Sequence, residues 1–171
     1  MKRVGKVIGW ILLFTFIVIQ FFHPKKNIHS GDQPNALAKH HPPPADVNAI
    51  LKKACNDCHS NNTVYPWYSK LQPVDWWLDG HIRDGKRGFN LDELGARPAW
   101  LRYRKMEEFK EQIEEGKMPL NSYTWIHKDA ILTADEKEKL THWAQDIMDE
   151  MKQTLPADSL KRPQRPKTPK A

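Results

Sequence analysis

Hydrophobic and polar positions divide this chain into stretches with different rules. From Val7 to Phe22 the run VIGWILLFTFIVIQFF is largely apolar, and no polar face interrupts it. Lys2, Arg3 and Lys6 precede it, and His23-Pro24-Lys25-Lys26 closes it. Its length lies between a signal-peptide core and a full membrane span. Small residues suited to cleavage do not follow closely, and Ala36-Leu37-Ala38 stands too far downstream. Residues 1–26 are therefore expected to form an uncleaved signal anchor, a single N-terminal transmembrane helix with its basic end inside.

Beyond the anchor the pattern changes three times. Residues 27–45, with Gly31, Pro34 and Pro42-Pro43-Pro44, predict a Pro-rich linker stiffened towards its end. Residues 46–154 then carry helical periodicity. Val47, Ile50, Leu51 and Ala54 form an apolar face behind a predicted N-cap at Asp46. A second helix is predicted from Val74 to about His81, with Gly80, Gly85 and Gly88 making the chain irregular up to Asn90. Met106, Phe109 and Ile113 mark a helix from Tyr103 to Glu115 with Gly116 at its C′ position. The last helix opens on the capping box Thr133-Ala134-Asp135-Glu136 and buries Leu140, Trp143, Ala144, Ile147 and Met151. Residues 155–171 are basic and rich in proline, the composition of a disordered tail. The fold class this predicts is all-α.

Charge adds one restriction. The net charge of +6 comes from the two ends: five Lys/Arg and no acid in residues 1–26, and five Lys/Arg against Asp158 in residues 155–171. The stretch between them is net acidic, so the basic balance describes no nucleic-acid surface.

The candidate chemistry is concentrated at Cys55-Asn56-Asp57-Cys58-His59. The sequence holds two cysteines and both are here, which excludes a four-cysteine zinc or iron–sulfur site within the chain. His81 and His127 are too far apart to complete a finger-like zinc site, and no strand-like run precedes Cys55 to suggest a thioredoxin-type pair. C-x-x-C-H reads instead as a site for one covalently attached haem c. Two thiols a short turn apart reach the two vinyl groups, and the next residue presents an imidazole to the iron. Cys55 and Cys58 are thus the expected thioether residues and His59 the proximal axial ligand.

The distal position has several candidates. Met106 and Met151 lie on apolar stripes and Met148 flanks one, so core packing accounts for them. Met118 lies in a loop before Pro119, between the motif and the last helix. It is the expected distal ligand, with His81 and His127 as competitors. The order of helix, C-x-x-C-H, loop methionine and terminal helix resembles small class I cytochromes c. More closely, Cys55-Asn-Asp-Cys-His59-Ser60-Asn61, Tyr65-Pro66-Trp67-Tyr68-Ser69, Glu115-Gly116-Lys117-Met118-Pro119 and the pair Tyr123 and His127 resemble the bacterial haem-binding domain family. Leu120 stands where that family commonly has a second proline, and residues 85–100 are longer and richer in glycine and arginine than its pattern.

The resemblance implies a cytochrome c-like helical domain around iron held by His59 and Met118. It also implies export, with the domain facing the periplasm at the bacterial inner membrane. The expected role is one-electron transfer between redox partner proteins in or on the membrane, with no nucleic acid involved. The alternatives are a peroxidase-like haem enzyme or a gas or redox sensor with an open distal site, and a haem subunit of a larger membrane complex.

Overall fold

The computed structural model describes residues 2–163, and among them the chain is all-helical. In chain order the helices are α1 (Lys2–Ile19), α2 (Leu37–His40), α3 (Ala45–Ala54), α4 (Asn56–His59), α5 (Val74–Gly88), α6 (Ala99–Glu114), α7 (Asn121–Thr124) and α8 (Ala134–Thr154). Short 3-10 turns lie at Trp67–Lys70, Leu94–Ala96, Lys128–Ala130 and Ala157–Leu160. The chain forms two compact units, Met1–Gly31 with Asp57–Asn90, and Asp32–Asn56 with Leu91 onward.

In the first unit, α1 is 18 residues long and includes Lys2, Arg3 and Lys6. At 1.5 Å per residue it measures about 27 Å, against a hydrocarbon layer of about 30 Å. Among the described residues no helix is long and apolar enough to cross a membrane. This corrects the expectation of a transmembrane helix: the charged residues lie inside the helix, and a turn at Gln20 and Phe21 ends it before the apolar run does.

The chain after α1 does not leave the unit. Gln20 and Gln72 exchange two hydrogen bonds, with the Gln20 amide donating to the Gln72 carbonyl (3.2 Å) and the Gln72 N–H to Gln20 Oε1 (3.0 Å). Gln72 Nε2 also donates to the Phe22 carbonyl at 2.6 Å. Asp75 is 1% exposed, and its two oxygens meet His23 Nδ1 and Lys26 Nζ, each at 2.7 Å. A buried carboxylate is tolerable only when paired in this way. Residues 27–29, the start of the stretch predicted as a linker, continue the docking through an antiparallel bridge between Ile28 and Asn62.

Helix α5 is a continuous 15 residues, running past Gly80 and Gly85 to end at Gly88. This differs from the predicted irregular stretch: Leu78 and Ile82 are buried one turn apart and hold the helix together through the glycines.

The second unit is built on α6 and α8. Met106 and Ile113 of α6 are buried, as are Leu140, Trp143, Ala144, Ile147, Met148 and Met151 of α8. Phe109 meets Trp143 edge-on at 6.2 Å. Helix α3 lies on α8 through its buried face of Val47, Ile50 and Leu51. It begins at Ala45, after Pro44, so Asp46 is a first-turn residue and not the cap; its carboxylate accepts from the Val47 N–H at 2.9 Å. Helix α6 starts four residues before the predicted Tyr103, behind Pro98.

Two predicted helix ends are present as read. Thr133 Oγ1 accepts from the Glu136 N–H at 3.2 Å while Glu136 Oε2 accepts from the Thr133 N–H at 3.0 Å, and Gly116 stands at φ 68°. Of the predicted disordered tail, Ala157–Leu160 forms a 3-10 turn against α6 and Arg162 sits 5.9 Å over the Trp100 ring. Residues 164–171 lie outside the described residues.

Candidate functional site

The C-x-x-C-H motif falls where the two units join in sequence: Cys55 belongs to the second and Cys58 and His59 to the first. In the second unit, the apolar face of α3 fixes the helix that leads into the motif. Its last turn is closed by the Cys55 N–H donating to the Leu51 carbonyl at 2.9 Å. Lys53, two residues before Cys55, pairs with Glu136 at 2.6 Å. The carboxylate that caps α8 therefore also ties down the end of α3, and Lys53 together with the Thr133 N–H holds Glu136 below the usual glutamate range.

In the first unit, Cys58 and His59 lie on the single turn α4, against the C-terminal half of α5. The approach is closest at Gly85, where a Cβ would stand 2.6 Å from the Cys58 carbonyl oxygen and 3.1 Å from the Cys58 Cβ. Only a residue without a side chain fits there. Just past α5, the Phe89 carbonyl oxygen is 2.7 Å from His59 Nδ1, and the Phe89 ring meets the imidazole edge at 5.8 Å.

A carbonyl only accepts, so Nδ1 carries the proton and Nε2 presents its lone pair. Burial lowers the His59 pKa, against the smaller opposing effects of the Phe89 and Gly85 carbonyls, and favours the neutral ring. The Cys58 thiol is pushed up to about 11 by burial, with the Asp57 charge adding to the effect. A thiol so protonated is a poor nucleophile for disulfide exchange, which argues against the thioredoxin-type reading.

The loop after His59 is held from the docked segment. Asn27 Nδ2 donates to the Ser60 carbonyl and to Thr63 Oγ1, both at 2.9 Å, and the Asn27 carbonyl accepts from the Thr63 N–H at 3.0 Å. Lys86 of α5 donates to the Asn27 side-chain oxygen. Tyr65 accepts from the Asn27 N–H at 2.7 Å and lies under Lys26, while Trp67 projects outward, 75% exposed.

The remaining candidates are placed as follows. Met118 is half-buried in the second unit, in the loop after Gly116, and its N–H donates to the Gln112 carbonyl at 3.1 Å. His127, in the same unit, stacks on Tyr123 at 4.2 Å, and the Tyr123 hydroxyl points to the Lys53 carbonyl at 3.5 Å. His81 lies in the first unit, with its ring 4.3 Å from Trp77 and Nδ1 2.9 Å from the Trp77 carbonyl.

Residues 14–146 match the haem-binding domain family. This chain is a member of it. No curated protein and no solved structure matches the chain. The match to the haem-binding domain begins inside α1, so the docked residues 20–29 lie within the family's own domain and do not merely precede it.

The residues present fit a haem. An imidazole fixed as the Nδ1–H tautomer can offer Nε2 to iron, and a backbone carbonyl accepting from the other ring nitrogen is the arrangement usual for metal-bound histidines. Cys58 and His59 are backed by a helix that packs directly on the motif backbone. Sequence reasoning missed three residues here. Phe89 acts through its main chain, which no side-chain pattern reports. Gly85 was read as a helix breaker although its spacing equally suits a close approach. Asn27 is one polar residue among many in a region without periodicity.

Proposed function

We propose that this haem-binding domain is a c-type, cytochrome c-like one-electron carrier attached to the bacterial inner membrane, with its haem-bearing part on the periplasmic side. The observation that carries the reading is the 2.7 Å contact from His59 Nδ1 to the Phe89 carbonyl, which leaves Nε2 as the free base. Bound haem supplies a single iron that exchanges one electron between its ferrous and ferric forms. Cys55 and Cys58 would hold the group through two thioethers, each formed by adding a thiol S–H across one vinyl double bond with no net redox change. His59, oriented by the Phe89 carbonyl, would present Nε2 to the iron.

Met118 is the distal ligand in this reading, favoured over His81 and His127. The rings of both histidines are engaged with neighbouring aromatics, at 4.3 Å for His81 with Trp77 and 4.2 Å for His127 with Tyr123. A thioether ligand favours the ferrous state relative to a second imidazole, which suits acceptance of electrons from a respiratory donor and delivery to an oxidase or reductase. Membrane attachment rests on α1, whose apolar side chains from Val4 to Val18 are exposed, Trp10 at 71% among them.

The test is the optical spectrum of the matured protein, oxidised and reduced, with and without carbon monoxide. A low-spin spectrum with the ferric methionine-to-iron charge-transfer band and no carbon monoxide response is expected. Ready carbonylation would replace the carrier reading with an open distal site, as in a sensor or peroxidase.

A further inference from the structure

The exposed apolar residues of the first unit do not stop at α1. Phe21 and Phe22 follow it at 81% and 61% exposed, and Leu71, Trp76 and Trp77 stand at 46%, 42% and 50%. These two groups are joined by hydrogen bonds. Gln72, next to Leu71, takes the Gln20 side chain on its backbone, gives its own amide to the Phe22 carbonyl, and accepts the Trp76 N–H on Oε1 at 3.3 Å. The start of α5 is thereby fixed to the chain immediately leaving α1, and the Asp75 pairs with His23 and Lys26 lock the same junction.

The chemistry of this collar identifies what covers it. Tryptophan pairs a broad apolar ring with an N–H that needs a polar partner, which favours the boundary between acyl chains and headgroups over a dry protein interface. Across residues 20–31 and 65–78 the only acid is Asp75, which is buried and paired, while Lys25 and Lys70 are exposed. The collar is therefore apolar with a basic rim, and hydrogen bonds through Gln72 join it to the chain leaving α1.

We propose that Phe21, Phe22, Leu71, Trp76 and Trp77 form an interfacial collar that seats the unit bearing Cys58 and His59 on an anionic lipid bilayer. This rests on α1 being the membrane attachment. The Gln20–Gln72 and Asp75 contacts make the attachment a rigid mount, so that α5, and through it the His59 turn, is held at a set height and tilt over the lipid.

The test uses the full haem-loaded chain in vesicles of phosphatidylglycerol and phosphatidylcholine whose acyl chains carry a photoactivatable diazirine near the headgroup, with labelled peptides read by mass spectrometry. Trp125 and Ile126 of the second unit, 77% and 61% exposed, provide an internal control for apolar exposure alone. The expected result is labelling of α1 and, several-fold above the 125–126 peptide, of the 71–77 peptide, with the latter falling at least two-fold in vesicles of phosphatidylcholine alone. Labelling of α1 with the 71–77 peptide no higher than the control would overturn the collar and leave membrane attachment standing. Equal 71–77 labelling in neutral vesicles would overturn the anionic-lipid assignment, and no labelling of either segment would remove the attachment and the collar together.

Discussion

Replacing Gly85 with alanine would put a methyl 2.6 Å from the Cys58 carbonyl oxygen, and because that obstacle is backbone it has no rotamer to escape into. Two effects oppose each other. Alanine is favoured over glycine in a helix interior by about 1 kcal/mol. Overpacking against a fixed neighbour costs about 1–3 kcal/mol. Gly80 separates the two, since a Cβ there meets nothing within 4 Å and only the propensity gain applies. Gly80→Ala is expected to stabilise the protein by up to about 1 kcal/mol. Gly85→Ala should lose that gain to the clash and fall below Gly80→Ala by about 1–3 kcal/mol. Denaturant unfolding of the two variants, followed by helical circular dichroism, measures the difference. The pyridine haemochrome yield per protein reads a second consequence, because moving α5 off Cys58 also moves Phe89 off His59 and should lower the haem-loaded fraction of Gly85→Ala alone. If Gly85→Ala matches Gly80→Ala in both measurements, α5 does not pack on the motif as described.

Other sites give outcomes of known sign. Thr133→Ala removes the α8 cap and should cost about 1 kcal/mol in thermal unfolding. Glu136 has a folded pKa below its usual value, chiefly through the Lys53 hydrogen bond, so its contribution to stability is complete above about pH 4.5 and is lost as pH falls through the lower folded value. Glu136→Gln should flatten that acid limb in a pH series of melting temperatures while retaining the capping geometry. Leu140, fully buried on α8, should cost about 2–5 kcal/mol when truncated to alanine, read from denaturant midpoints. Asp75→Asn leaves His23 and Lys26 without their shared anion, and about 1–3 kcal/mol should be lost together with faster proteolysis within residues 20–31.

The parts of this chain that were legible in its sequence are those in which side chains carry the signal locally. The α8 stripe, the Thr133–Glu136 box and the C′ glycine at Gly116 each rest on spacings of three or four residues, and the structure holds them as read. The C-x-x-C-H motif was legible because the chemistry needs those residue types in that order. What was not legible depended on partners remote in sequence. Asn27 meets residues 33 to 59 positions away, and nothing in its neighbourhood distinguishes it from a solvated linker residue. The glycines of α5 were misread because helix propensity counts their local cost and is silent on Leu78, Ile82 and the Cys58 backbone, which repay it.

The same long-range contacts change what the N-terminal region does. A tether read from prolines would let the haem-bearing part move freely over whatever holds α1. The structure instead holds residues 20–27 by a series of contacts along one backbone: Gln20 and Phe22 bond to Gln72, His23 and Lys26 to Asp75, and Asn27 to Ser60 beside His59. Each bond contributes only about 1 kcal/mol, yet they share one backbone, so all must break together for the segment to leave. The stretch predicted as a linker is held within the second unit as well, where Leu37 is buried, its N–H donates to the Leu91 carbonyl at 2.7 Å, and the Gly95 N–H donates to the Asn35 carbonyl at 2.9 Å. His59 and α1 fall in one compact unit, so the placement of the His59 turn relative to α1 follows from these contacts and not from a linker.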